Sequence, residues 1–195
     1  MKIIQLIIAL FLCSQSVFGQ VQRYQSEFNS INENLMLGLG SYAVTNFVMG
    51  GIGYATSHDE ATKHFHEMNV MWNTVNLGLA VPGYLKAKRG DKSLTLEEMI
   101  KEQKKTETIF LVNDVLDLGY IATGVWMKNQ AVNQGDRADM FEGYGNSLIL
   151  QGSFLLAFDA YAYYLHRNHA KKLPMLEKVS VHPTGAGIAL VIALD

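Results

Sequence analysis

The chain has 195 residues, of which 49% are hydrophobic and 17% charged, with a formal net charge of −2 and a pI near 6.3. That length suits one domain, and the near-neutral balance excludes the basic footprint that nucleic-acid binding requires. The charge content lies below the roughly 25% usual for globular domains, and the lone cysteine, Cys13, excludes a disulfide within the chain.

Residues 1–19 read as a secretory signal. Lys2 supplies a positive start, residues 3–12 an apolar core, and Val17-Phe18-Gly19 a small residue before a cut at Gln20. An uncleaved anchor helix is the alternative. Residues 20–34 can form an amphipathic helix lying along the membrane interface, because Tyr24, Phe28, Ile31 and Leu35 recur at helical spacing.

Four long runs poor in charge follow, at 35–56, 68–85, 108–127 and 143–165. Each is close to the ~20 residues that cross a hydrocarbon core. None carries the polar outer face that helices of a soluble bundle show. The expected fold class is therefore all-α: a four-transmembrane-helix bundle over 35–167, followed by a short β-like tail at 168–195.

The first run has small residues in two strips, Gly38, Ser41 and Thr45 beside Asn46, Gly50 and Gly53, and small residues let helices approach closely in lipid. The second carries Asn69, Asn73 and Asn76 within an arc of about 60°, so three amides share one helix face. Pro82-Gly83 should then kink or stop it. In the basic linker 86–105, Thr95-Leu96-Glu97-Glu98 has capping-box spacing, which predicts a helix starting at Leu96 and running into the third run. That run bears Asn113, Asp114, Asp117 and Tyr120. The fourth bears Ser147, Gln151 and Asp159 and ends in Tyr161, Tyr163, Tyr164 and His166-Arg167, an aromatic and basic interface. In the tail, 179–181 and 188–194 flank Pro183-Thr184-Gly185-Ala186-Gly187, which predicts two strands around a turn.

Counting along each helix places Asn46, Asn73, Asn76, Asn113, Asp114, Asp117 and Asp159 in one layer, roughly 9 to 18 Å below the more basic surface. Gln151 joins this polar set from the fourth run. An ionised aspartate at mid-helix costs about 2.5 to 3.5 kcal/mol on insertion scales, so all three must face protein or water. Such a layer can bind a cation, relay protons or hold a polar ligand. It can equally fix the bundle through interhelical hydrogen bonds of about 0.6 to 2 kcal/mol each.

Topology divides the histidines, with His58, His64 and His66 on one side and His166, His169 and His182 on the other. His166 and His169, three apart, could share a metal with a third ligand, or be solvated interfacial groups. No metal and no cofactor is expected from motifs: phosphate loop, zinc-binding helix and nucleophile elbow are all missing.

The charges conflict with the leader. Most lysines and arginines fall on the side of the 86–105 linker and the tail, and the opposite side has only Lys63, Lys128 and Arg137. The positive-inside rule makes the basic side cytoplasmic, whereas a cleaved signal makes it external. Residence in an outer membrane would remove the conflict.

At Phe65-His66-Glu67-Met68-Asn69, Trp72-Asn73 and Val75-Asn76-Leu77, the sequence resembles an uncharacterised family of bacterial membrane proteins found mainly in Bacteroidota. The segments 113–120, 150–159 and 166–169 are similar to later parts of that family. The resemblance implies a four-helix membrane protein with a leader, and brings no activity and no functional residue.

The function expected is a non-enzymatic accessory or scaffold component of the bacterial envelope, in the inner membrane or alternatively the outer. Its surroundings are the lipid bilayer, an envelope protein could dock on the tail 171–195 or the loop 86–105, and an oligomer is compatible with both. The alternative is a small transporter or channel that uses the Asn/Asp layer to bind a cation or proton. Orientation is directly measurable: alkaline phosphatase fused after Asp195 should be active if the tail is external, and activity of a cytoplasmic reporter there would sink that orientation.

Overall fold

The computed structural model describes residues 2–90, 93–174, 179–184 and 187–192, with side chains described over 19–90 and 93–174. Four long helices dominate: α1 (Lys2–Thr56), α2 (Glu60–Arg89), α3 (Leu96–Ala131) and α4 (Ala138–Ala170), with a 3-10 turn at Gly135–Arg137 leading into α4. Of the expected signal at 1–19, the side chains of residues 1–18 lie outside the described residues. Short connections make consecutive helices antiparallel neighbours. Two further segments, Val179–Thr184 and Gly187–Ile192, run antiparallel. Their expected turn at 185–186 and the last residues, 193–195, lie outside the described residues, and the packed body of the protein is helical.

Local chemistry explains the helix starts. Asp59 accepts a hydrogen bond from the backbone N–H of Thr62 at 2.8 Å and caps α2. At α3 the capping box is complete: the Glu98 N–H donates to Thr95 Oγ1 at 3.3 Å, and the Thr95 N–H donates to Glu98 Oε2 at 2.8 Å. Gly90, with φ of 61°, ends α2 in a conformation that suits glycine.

Two local expectations are overturned. Residues 20–34 do not form a separate interfacial helix, because α1 runs through them without a break. The face made by Tyr24, Phe28 and Leu35 is buried, as the spacing implied, but against α3 and α4 instead of lipid headgroups. Of the expected kink or stop at Pro82-Gly83, the stop is overturned, since α2 continues to Arg89. The missing N–H orphans one carbonyl on an exposed face, and Gly83 beside it lies tight against Met36.

The body is apolar outside and polar inside. Val44, Met49, Ile52, Val75, Leu79, Val112 and Val115 are exposed, Val115 at 68%, while Asn73, Gln103, Ser147 and Gln151 are completely buried. Water would select the reverse arrangement, so the surroundings that fit this body are hydrocarbon. Three stretches, Gly19–Thr56, Leu96–Ala131 and Gly135–Ala170, are long and apolar enough to cross a membrane. α2 falls short of that measure although it has 30 residues, because the asparagine stripe and its charged ends lower its hydropathy. Composition alone thus supports three spans, against the four expected.

α4 is the central helix. It packs on α3 along one side and on α2 along another, α1 packs on α2, and α2 and α3 barely approach each other. Glycines make the close contacts. A methyl group at Gly124 would sit 2.6 Å from the Gly145 carbonyl oxygen, and one at Gly145 would sit 2.7 Å from that of Gly124. Gly143 lies against the backbone of Ala61 and Phe65 in the same way, and Gly53 receives the ring of His66. Of the two small-residue strips in the first run, the one with Gly50 and Gly53 is in use, whereas Gly38 has open space around it. This generates a paired prediction. Gly145→Ala should cost about 1 to 3 kcal/mol through overpacking. Gly119→Ala, which has nothing within 4 Å to meet, should be neutral or slightly stabilising. Thermal unfolding in mild detergent, followed by helical circular dichroism, reads both; equal effects would refute the close-packing role of Gly145.

Candidate functional site

The polar set divides into two halves with different chemistry. The first is a closed hydrogen-bond network centred on Asn69. Its Oδ1 accepts from Ser147 Oγ at 2.9 Å and from Gln151 Nε2 at 2.8 Å, which ties α2 to α4. Tyr42 on α1 donates its hydroxyl to Gln151 Oε1 at 3.2 Å, and its ring stacks on Phe154 with centroids 3.4 Å apart. Asn73 donates to the backbone oxygen of Asn69 at 2.8 Å, and Asn76 donates to Asn73 Oδ1 at 3.2 Å. Each amide thus finds a partner, as burial away from water demands.

The second half faces a cavity of about 420 Å³ enclosed by all four helices. Asn76 from α2, Asn113 and Asp117 from α3, and Asp159 from α4 lie on its wall. Asp117 and Asp159 reach each other within hydrogen-bonding range, and Asn113 supports Asp159. Two carboxylates at that range repel unless a proton or a cation lies between them. Three buried atoms in this half have no partner: Asp117 Oδ2, Asp114 Oδ1 and the indole Nε1 of Trp72. Asp117 is only 2% exposed, so its free oxygen is not rescued by bulk water.

The remaining walls are apolar, with Leu39, Phe110, Leu155 and Phe158 prominent. Between α2 and α3 lies a lateral window whose lips are the exposed Val75, Leu79, Ile109 and Leu116. Trp72 and Tyr120 close one end, with ring centroids 4.6 Å apart. Lys86 and Glu102 close the other as an ion pair at 3.3 Å.

Of the sequence-derived set, Asn76, Asn113, Asp117 and Asp159 come together at the cavity. Asn73 and Gln151 belong to the closed network, and Asp114 is half-buried next to the pair without lining the cavity. Asn46 bonds to the backbone oxygen of Tyr42 one turn earlier and also interacts with the Tyr42 side chain, so it sits at the edge of the closed network and away from the cavity. The layer reached by counting depth does not include Asn69, yet Asn69 is the hub of the closed network; its place in the asparagine stripe is the signal that points to it. Trp72 was visible only as an aromatic in the run.

His166 and His169 are not solvated interfacial groups. Both are buried, His166 between the rings of Phe28 and Phe110, and His169 stacked on Tyr24 with centroids 4.0 Å apart. Among the described residues, no group of three His, Cys, Asp or Glu side chains is disposed to hold a metal ion. These histidines instead belong to a cap where the first turns of α3, the end of α4 and the 19–34 part of α1 meet. Gln103 is its centre, accepting from the Tyr24 hydroxyl at 2.8 Å and donating to the His166 carbonyl at 2.8 Å. At the opposite end, His64 Nδ1 lies 3.0 Å from Glu67 Oε2, and this contact holds the Glu67 carboxyl below its usual range.

These features define a helical bundle of membrane type, with a polar interior and a laterally open cavity. The chain belongs to a family of unknown function, DUF6992, whose description matches residues 38–160. That stretch contains the closed network and the carboxyl pair, and it stops short of the cap histidines. No curated protein and no solved structure matches the chain.

The two halves respond differently to mutation. Asn69→Leu strands the Ser147 hydroxyl and the Gln151 amide and should destabilise the bundle by about 1 to 3 kcal/mol. Asn46→Leu should stay within about 0.5 kcal/mol of the parent. Reversible unfolding in mixed micelles measures both, and an Asn69→Leu protein as stable as the parent would show that the network is not structural.

Proposed function

We propose that the chain is a multi-pass membrane protein of the bacterial envelope whose Asp117–Asp159 pair binds a proton or cation and passes it across part of the bilayer. In this reading α2 crosses the membrane with the other three helices. Its outward face, with Met71, Val75, Leu79 and Val81, is exposed and apolar, and its asparagines turn inward against α1 and α4. The bilayer therefore meets hydrocarbon on all four helices, and the low average hydropathy of α2 is confined to its hidden face.

The observation that carries the proposal is the buried, unpartnered Oδ2 of Asp117 on the wall of an open cavity. A bundle that served only as an anchor for a basic loop and tail would gain by filling its centre with side chains, since a void forfeits dispersion contacts. This bundle satisfies one half of its polar interior completely and leaves the other half open to a ligand. Intramembrane carboxylates that face such a cavity suit charge binding and proton transfer. The leader and the inner-membrane location remain parts of the proposal, and docking of an envelope protein on 171–195 or 86–105 is a separable role.

Reconstituted vesicles loaded with a pH-sensitive dye test the reading. Under an imposed pH gradient and a clamped potential, proteoliposomes should dissipate the gradient faster than empty vesicles. Asp117→Asn and Asp159→Asn should each lower that rate at least tenfold while leaving helix content unchanged. A rate equal to that of empty vesicles, or one indifferent to Asp117→Asn, would rule the transport reading out.

A further inference from the structure

We infer that the cavity takes a lipophilic organic cation: a positively charged nitrogen or phosphorus centre held at Asp117 and Asp159, with an apolar body lying along the wall between α2 and α3. This deepens the carboxyl-pair reading and rests on it. Three independent observations lead there.

The first is size. The cavity measures about 420 Å³. A water occupies a share of only about 30 Å³, whereas pockets for organic ligands run from about 300 to 1,000 Å³. A proton or bare metal ion would leave most of the space empty. The second is the distribution of charge. The deep end presents Asp117 and Asp159 with the amides of Asn76 and Asn113, and the lysines that touch the cavity, Lys86 and Lys105, belong to its other end. Lys105 precedes Asp117 by twelve residues of one helix, roughly 18 Å along its axis. Lys86 is already paired with Glu102. Nothing cationic in the lining neutralises the carboxyls, so a ligand that buries itself there is favoured if it brings the positive charge. The aromatic residues Trp72 and Tyr120 line the same end, and aromatic rings of this kind suit an organic cation.

The third is the route. The window opens sideways between α2 and α3 through the exposed Val75, Leu79, Ile109 and Leu116, and the Lys86–Glu102 pair spans its end nearest the basic surface. A ligand that enters there comes from the hydrocarbon, which selects molecules that partition into the bilayer and excludes small hydrophilic ions. Apolar contact with Phe110, Leu155 and Phe158 supplies the uptake, and the carboxyls supply the sign preference.

The chain has two tryptophans, Trp72 and Trp126, and only Trp72 touches the cavity. In a Trp126→Phe background, Trp72 fluorescence of protein in lipid nanodiscs therefore reports occupancy. Tetraphenylphosphonium, a permanent lipophilic cation, should give a saturable change. Triphenylphosphine oxide, neutral and similarly aromatic, should bind at least tenfold more weakly. Tetramethylammonium, charged but without an apolar body, should give no change. Asp117→Asn should weaken tetraphenylphosphonium at least tenfold. If that variant does not fold, Leu79→Phe at the exposed lip, which leaves both carboxyls intact, should slow association severalfold. Equal binding of the cation and the neutral probe, no saturable signal, or association indifferent to Leu79→Phe would each overturn the inference. A missing tetraphenylphosphonium signal with Asp117-dependent proton flux intact would remove only the organic-cation class. Loss of both would remove the carboxyl-pair reading itself.

Discussion

The contact between Asn69 on α2 and the Ser147–Gln151 pair on α4 is the interaction on which the rest of the bundle depends. In hydrocarbon, apolar side chains gain little by leaving lipid for the interior of a protein, so burial of leucine and valine cannot hold helices together as it does in water. Hydrogen bonds and close backbone packing must do that instead. One amide oxygen receiving two donors at 2.8 and 2.9 Å fixes both the rotation and the height of α2 against α4. The extension through Gln151 to Tyr42 and Phe154 brings α1 into the same arrangement. The apolar residues then go where lipid accepts them, on the outside, and the exposure of Leu79 at 61% costs nothing there.

Once the network is closed, it leaves no spare partner for the carboxyls on α3. Asp117 and Asp159 line the cavity apart from Asn69, and their support comes from Asn113 and from each other. A polar interior divided in this way has a rigid half and a responsive half. The rigid half needs no ligand to be stable. The responsive half holds two acidic groups whose mutual repulsion is relieved only by something positive, which is the physical content of calling it a site. The cap at the basic end is built differently again, from Tyr24, Phe28 and Met99 around Gln103, and it joins the part of α1 before the first run to the ends of α3 and α4.

Much of this was legible in the order of residues. Helical spacing revealed the buried face of Tyr24, Phe28 and Leu35, the capping box at Thr95, and the inward stripe of Asn69, Asn73 and Asn76. Counting depth brought Asn76, Asn113, Asp117 and Asp159 to one level, where the structure places all four on one cavity. The failures share a cause. Periodicity specifies which residues share a face, and depth specifies their level, but neither says which neighbouring helix the face meets. Asn46 has the right level but meets Tyr42 at the edge of the closed network and not the cavity. Asn69 was discounted by level although a longer partner, Gln151, reaches it from the next helix. His166 and His169 were read as solvated because they follow an aromatic interface, and nothing local indicated that α1 extends far enough to cover them. Pro82 was expected to kink or stop α2, and the stop fails because the residues after it, through Arg89, keep their own helical hydrogen bonds although one carbonyl loses its partner.

The cavity itself follows from where α4 keeps its glycines. From Gly143 to Gly152 the helix is smooth, and its backbone lies directly against α2 at Ala61 and Phe65 and against α3 at Gly124 and Asp117. Beyond that stretch it carries Leu155, Phe158 and Asp159, which line the cavity. α2 and α3 both pack on α4 and barely approach each other, and the cavity opens between them. The Trp72–Tyr120 contact bounds the cavity at one end, and the Lys86–Glu102 pair joins α2 to α3 at the other. Asp117 has a structural reason to sit beside the cavity: its backbone oxygen is already in contact with Gly152, the last glycine of α4, and its side chain joins the lining next to Tyr120. The same glycine pattern that packs one end of the bundle therefore positions the acidic pair at the mouth of the other.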